Sequence, residues 1–411
     1  MPEQNLNLVR SGQPTTKLHS FLMRTAELLH RYGTPSHRLE RVMTKVSQTL
    51  GVRSVFLYTP TALIASLSDG DSESTYMRRV DSGAVEVDKL IRFDEVLENL
   101  EAKKITIDQA DQQMHDIDKM APPYTVVTTG IICGIACGCV AVFLSGGYRE
   151  VMWAMIFGML IAALDWVQSK LQWERGLLEP VAGFLAALGS LAVDRWVHPI
   201  DDRLLTLAAL VILLPGLSLT VAMTELAVGH LSAGVARLAG AFSILLTLVL
   251  GVVLAWKIGD SWHQSTAILV PLPGWMQWGA LAIAPLTFAV LVRARWPQWP
   301  IIFAVSCSGY LAAKAGGAGY GAELGAFLGA LVVGSLSNLY ARIRNRPALV
   351  PLTPGMIILV PGSIGYQSLT AMSDFQTLQG VRLAFSMLMV AMCLVGGLLA
   401  AGVLVPTKRI L

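Results

Sequence analysis

From Tyr124 onward the chain is a succession of long apolar runs, and no other feature limits its fold so tightly. A hydrocarbon layer about 30 Å thick takes about 20 apolar residues per helix. No water inside that layer can satisfy a free backbone N–H or C=O, so such runs fold as helices. Ten candidate spans follow: 125–145, 151–168, 177–193, 204–225, 235–256, 275–292, 299–313, 320–340, 350–372 and 381–404, of which the second and seventh are short. Charge separates a different region ahead of them. Residues 1–120 hold 32 of the 59 Asp, Glu, Lys and Arg residues, and the remaining 291 residues hold 27. The expected division is a soluble domain over 1–122, ended by the prolines of "MAPPY", then membrane segments over 123–258 and 270–411.

The chain is 54% hydrophobic, too apolar for a soluble protein of 411 residues, and a net charge of +3 gives no reason to expect nucleic acid as a partner. The polar start "MPEQNLNLVRSGQP" has no signal-peptide run, so the first domain is expected to stay in the cytoplasm. Lys170, Arg175, Arg237, Arg293, Arg295, Arg342, Arg344, Arg346, Lys408 and Arg409 then fall on the cytoplasmic side. Arg149, Arg195, Arg203, Lys257, Lys314 and Arg382 fall opposite, which gives a modest positive-inside bias. Cys133, Cys137, Cys139, Cys307 and Cys393 all lie in apolar runs and read as packing residues, with no metal site and no cofactor.

Two spans are broken in the same way. "ILLPGLSLTVAM" carries Pro215 and Gly216, and "LVPGSIGYQS" carries Pro361 and Gly362, 146 residues later (361 − 215). Downstream, Gly234, Arg237 and Leu238 find counterparts in Gly380, Arg382 and Leu383 once small insertions are allowed. The breaks fall in the fourth and ninth spans, so ten spans divide into five and five. Five is odd, so the second set must begin on the opposite face. The expected fold is an α-helical polytopic membrane protein of ten transmembrane helices in two inverted five-helix repeats, preceded by a small cytoplasmic α+β domain. Inverted repeats with broken helices are a plan of secondary transporters.

A break frees backbone groups that only protein or a water-filled cavity can satisfy. Pro215, Gly216, Ser218, Thr220, Pro361, Gly362, Ser363 and Tyr366 are therefore the candidate solute-binding residues. Ionisable groups are costly in a bilayer and mark pathways. Glu225, Glu323 and Asp165 are the proton-coupling candidates, and Arg237, Arg382 and His230 the remaining charged or titratable ones. Glycines spaced by four (Gly130, Gly134, Gly138; Gly317, Gly321, Gly325, Gly329) read as close-packing stripes.

In the first domain, helices are expected over 15–33, 35–51, 88–104 and 106–120, and strands over 53–59, 61–68 and 74–82. Thr34 is the expected N-cap of the second helix, with Pro35 in its first turn. The polar turn "SDGDSE" lacks calcium-loop spacing. "YGTPSHRLE" gathers Tyr32, His37, Arg38 and Glu40, a set suited to helix capping or to a ligand or hydrolytic site.

Three motifs, "RYGTPSHRLE", "LLPGLSLTVAMTELAVGHLSAGVARL" and "GYGAELGAFLGALVVGSLSNLYARIRNRPALVPLTPGMIILVPGSIGYQSL", resemble the threonine/serine exporter family of bacterial inner-membrane transporters, and the resemblance covers nearly the whole chain. It implies a cytoplasmic N-terminal domain, ten spans, and export of threonine and serine driven by the proton-motive force. Some members are split between two proteins, at the boundary between the two sets of five. Split members are linked to dicarboxylates, so a succinate-like substrate is the alternative. In "AVGHLSAG", His230 stands where an acidic residue is common in the family. The implied partners are the solute, protons and membrane lipids, and the sequence leaves homo-oligomer formation open. A membrane-bound enzyme or sensor acting through its soluble domain, and a passive channel, are the other readings.

Overall fold

The computed structural model describes residues 17–69, 72–81, 83, 85–171, 176–259, 262 and 272–406. The polar N-terminal stretch, Arg175, Lys408, Arg409 and residues 70–71 of the "SDGDSE" turn lie outside the described residues.

The first domain follows its apolar periodicity closely. Helices α1 (Lys17–Arg31) and α2 (Ser36–Thr49) precede strands β1 (Arg53–Thr59), β2 (Ala62–Asp69) and β3 (Ser72–Arg79), and α3 (Val87–Glu101) and α4 (Ile107–Lys119) close the domain. The strands form an antiparallel meander in the order β1-β2-β3, with Phe56 opposite Ala65 and Tyr58 opposite Leu63. Alternation sends Phe56, Tyr58, Leu63, Ala65 and Leu67 into one core with Leu22, Leu29, Leu39, Met43 and Phe93 of the helices. Thr106 and Gln109 form a capping box at the start of α4.

Beyond Tyr124 the structure is helical. The first set comprises α5 (Val126–Phe143), α6 (Tyr148–Leu171), α7 (Leu178–Trp196), α8 (Asp202–Leu210), α9 (Gly216–Ala227) and α10 (Leu231–Ile258). The second comprises α11 (Trp275–Leu291), α12 (Trp299–Tyr320), α13 (Ala322–Arg344), α14 (Leu349–Ile357), α15 (Gly362–Ser373) and α16 (Thr377–Leu404). Among the described residues, 7 helices are long and apolar enough to cross a membrane, counting Leu349–Ser373 as one. The other three expected spans correspond to α7, α11 and the α8–α9 pair. Each falls short for a physical reason: α7 carries Glu179, Asp194 and Arg195, α11 has only 17 residues, and Pro215 splits the run of α8 and α9. The expected glycine stripe over 317–329 is not one helix surface. Gly321, at φ +95°, divides α12 from α13, and the stripe folds back so that a Cβ on Gly325 would lie 2.5 Å from the Ala313 carbonyl.

The two sets match element by element. α9 and α15 have 12 residues each, α10 and α16 have 28 each, and α8 and α14 have 9 each. From Gly216 to Ile258 the offset to the second set is a constant 146 (362 − 216, 377 − 231, 404 − 258). Close packing repeats at the same offset. A Cβ on Gly251 would sit 2.0 Å from the Pro180 carbonyl of α7, and one on Gly397 would sit 2.4 Å from the Phe327 carbonyl of α13. Backbone cannot rotate away as a side chain can. Gly251→Ala and Gly397→Ala are therefore each expected to lower stability by about 1–3 kcal/mol, read as a fall in unfolding temperature in detergent, whereas Gly240→Ala, which lies inside α10 and meets nothing within 4 Å, should not lower it.

The constant offset corrects one expectation. Gly234 does align with Gly380, but no insertion follows, so Arg382 aligns with Ala236 and not with Arg237 (382 − 146). The two arginines are one residue, about 100° of helix rotation, out of register.

Candidate functional site

The two Pro-Gly breaks meet. Pro215 (φ −80°, ψ 40°) and Pro361 (φ −85°, ψ 21°) cap α9 and α15 in nearly the same conformation, and neither provides a side-chain hydrogen bond. A Cβ placed on Gly362 would lie 3.2 Å from both Cα and N of Gly216, and one on Gly216 would lie 2.5 Å from Val360 Cγ2. Glycine is required at both positions because the backbones cross at contact distance. Two helix N-termini thus converge on one place, and each carries part of the helix dipole's positive charge.

From that crossing the two broken segments run in opposite directions. α9 ends against the N-terminal domain: the Ser36 backbone N–H donates to Glu225 Oε1 at 3.0 Å. α15 ends at Asp374, which pairs with Arg203 at the start of α8, on the far side. α14, which precedes α15, starts beside Arg346, and Arg346 pairs with Glu95 of the N-terminal domain. α9 also packs on α16, and α10 on α15, so the halves interlock around the crossing.

The candidate solute-binding residues are treated unequally. The Thr220 hydroxyl donates to the Gly216 carbonyl one turn earlier at 3.2 Å, so it is already paired within α9. Ser218 and Ser363 are partly buried beside the crossing. Tyr366 is 3% exposed, and its Oη has no partner among the described residues. Position 366 is the 146-residue counterpart of Thr220 (366 − 220).

The charged candidates divide as well. Glu323 and Asp165 are exposed, at the start of α13 and in the last turns of α6, and the structure brings neither to the breaks. Arg382 is exposed near the start of α16 and is likewise away from them. Glu225 is fully buried, but nine residues past Gly216, about 14 Å along the helix. Its carboxylate takes Arg237 Nε at 3.0 Å and Nη2 at 3.1 Å, a two-pronged pairing of the strong charge-assisted kind.

Glu225 also supplies what Thr34 was expected to supply. The N-cap of α2 is Pro35, with no side-chain cap, and Glu225, 189 positions away, takes the free N–H of Ser36. Next to it His230 Nδ1 lies 3.3 Å from Glu40 Oε1, and the rings of His37 and His230 are 6.3 Å apart. The soluble-domain motif and the segment after the first break therefore form one cluster: Ser36, His37 and Glu40 with Glu225, His230 and Arg237. A second docking line follows α3. Glu86 pairs with Arg293, Asp88 with Arg295 at 2.9 Å, and Asn345 donates to Glu98 at 2.8 Å. Arg237, Arg293, Arg295 and Arg346 are thus on the same side as the N-terminal domain.

Two groups of this cluster, His37 and Glu40, are shifted from their ordinary values. Burial, with the charges of Arg38, Arg41, His230 and Arg237, pushes His37 down to about 3. Burial pushes the Glu40 carboxyl upward, partly opposed by His230. For His37 the sign is that of a histidine buried neutral: above pH 6.5 its contribution is complete, and below it the unfolded chain binds a proton that the folded one refuses. Stability should therefore fall by about 2 kcal/mol from this group between pH 6.5 and 5. His37→Gln should flatten that slope in unfolding curves taken across this range, and an unchanged slope would place the titration elsewhere.

Sequence reading missed the far-side carboxylates. Glu150 and Asp194, 4% and 2% exposed, accept backbone N–H groups of Asp201 and Ile200, and Asp201 caps α8. Their signal was the acidic run at Asp201–Asp202 ahead of an apolar helix. Glu225 and Arg237 likewise flank the Gly229–His230 turn at a spacing that closes a helical hairpin.

Comparison with known proteins identifies the family. Residues 20–259 match the ThrE family model and residues 277–406 the ThrE_2 model, both described as threonine/serine exporter. Relatives named pheromone-regulated membrane protein 10 are 27% identical over 85% of the chain in Debaryomyces hansenii and 25% identical over 87% in Eremothecium gossypii. A third, from Saccharomyces cerevisiae, is 24% identical over 85%. The chain spans 36%, 50% and 47% of these relatives' own lengths, and no solved structure matches. The chain is a multi-pass membrane protein, and it belongs to the threonine/serine exporter family of transporters.

Proposed function

We propose that this chain is a secondary exporter of small polar amino acids, threonine and serine first, exchanging them for protons across an inner (cytoplasmic) membrane of the bacterial kind. The reading takes the helices as ten spans in two inverted sets of five, with the N-terminal domain in the cytoplasm. The observation that carries it is the meeting of the two Pro-Gly breaks. Two converging helix N-termini suit an α-carboxylate, and the buried Tyr366 Oη, without a partner among the described residues, suits a hydroxyl or ammonium group. A dicarboxylate would call for cations at the crossing. Arg237 is engaged by Glu225 and Arg382 is at an exposed position near the start of α16, so neither supplies one.

Of the proton-coupling candidates, Glu225 is the buried one. Protonating it removes its attraction to Arg237 and to the start of α2, and so frees the half-helix that begins at Gly216. The site is tested by Tyr366→Phe, which keeps the ring and removes the hydroxyl. Counterflow of labelled threonine in proteoliposomes should fall about tenfold or more, in line with leaving a polar solute group unpaired. Unchanged counterflow would remove Tyr366 from the site.

A further inference from the structure

The start of α2 holds more hydrogen-bonding capacity than Glu225 uses. Ser36 is 0% exposed and Thr34 2%, yet neither hydroxyl has a partner among the described residues, and both flank the N–H that Glu225 accepts. α2 has 14 residues, so its N-terminus carries a full dipole. One turn further, on the same face, stands Glu40, whose contact with the membrane part is His230. Glu225 keeps both prongs of Arg237 within the membrane part, so it can leave the N-terminus of α2 without losing its countercharge.

We propose that this end of α2 is a binding site of the N-terminal domain for a small zwitterionic amino acid, and that Glu225 occupies it as a built-in competitor when the domain is docked. The ligand's carboxylate takes the Ser36 N–H and the hydroxyls of Ser36 and Thr34. Its ammonium group takes Glu40 in place of His230. Binding separates the domain from the end of α9, so the cytoplasmic amino acid itself releases the half-helix that starts at the break. The choice of an amino acid over a plain carboxylate rests on the exporter reading above; the anion site and its competitor do not.

The test is titration calorimetry of the full chain in detergent with threonine, serine, acetate and succinate. Glu225→Gln weakens the competitor and keeps its shape. Ser36→Pro deletes the N–H where a helix tolerates proline, its first position, and Pro35 is already extended at φ −61°, ψ 147° as a residue before proline must be. Threonine should bind about tenfold tighter to Glu225→Gln than to the unaltered chain, and Ser36→Pro in that background should lose the gain. The Tyr366→Phe variant should bind at this site unchanged, which separates it from the site at the breaks. Acetate or succinate binding as well as threonine, with the same response to Ser36→Pro, would overturn the zwitterion and leave a carboxylate site. Affinities indifferent to both Glu225→Gln and Ser36→Pro would overturn the proposal, whether or not the protein exports amino acids.

Discussion

Gly362→Val abolishes exchange while leaving the helices intact: that is the expected result at the point where the two halves touch. An added Cβ falls 3.2 Å from Gly216 Cα and N and 3.3 Å from Leu214 Cβ, and the valine methyls reach further still. The nearest atoms are mostly backbone, so no rotamer change relieves the overlap, and α9 and α15 must separate at their first residues. The loss should exceed tenfold in counterflow, with helical circular dichroism and membrane insertion unchanged. Gly274→Val, whose Cβ meets nothing within 4 Å, is the control and should exchange normally. If Gly362→Val exchanges as well as the control, the crossing is packing only.

The second large effect is expected at the domain interface. Arg237→Ala leaves the Glu225 carboxylate at 0% exposure with only a backbone N–H for company. Removing one member of a buried ion pair costs about 3–5 kcal/mol, whereas replacing both by neutral groups of similar shape is often close to neutral. Arg237→Ala should therefore lower the unfolding temperature sharply, and Arg237→Met with Glu225→Gln should recover most of it. A double variant as unstable as the single one would mean that Arg237 acts through packing, not charge.

The fold was largely legible because its signals are local. Periodicity placed every element of the N-terminal domain to within a few residues, and the paired "PG" sites located the breaks of α8–α9 and α14–α15. What was not legible depends on register and on distant partners. The Arg237–Arg382 correspondence failed because a one-residue shift is invisible in apolar sequence yet turns a side chain by about 100°. Thr34 was a sound N-cap by local rules, but the carboxylate that took the role comes from 189 positions away. Glu225 was one of three acidic candidates for proton coupling, and its contacts with Arg237 and Ser36 make it an interface residue. Asp165 and Glu323 met the same compositional test and differ only in exposure, which sequence does not report. Tyr366 was singled out by its place after the break, and the burial of its hydroxyl could be seen only once the core around it was built.

The central claim is that the paired breaks carry a small amino acid against a proton gradient. Counterflow in proteoliposomes tests it most directly: vesicles loaded with unlabelled threonine, serine or succinate, uptake of the labelled counterpart, with and without an imposed pH gradient. The account predicts counterflow of threonine and serine, altered by the gradient and lost in Gly362→Val. Counterflow of succinate alone, or amino-acid flux that ignores the gradient, would contradict it.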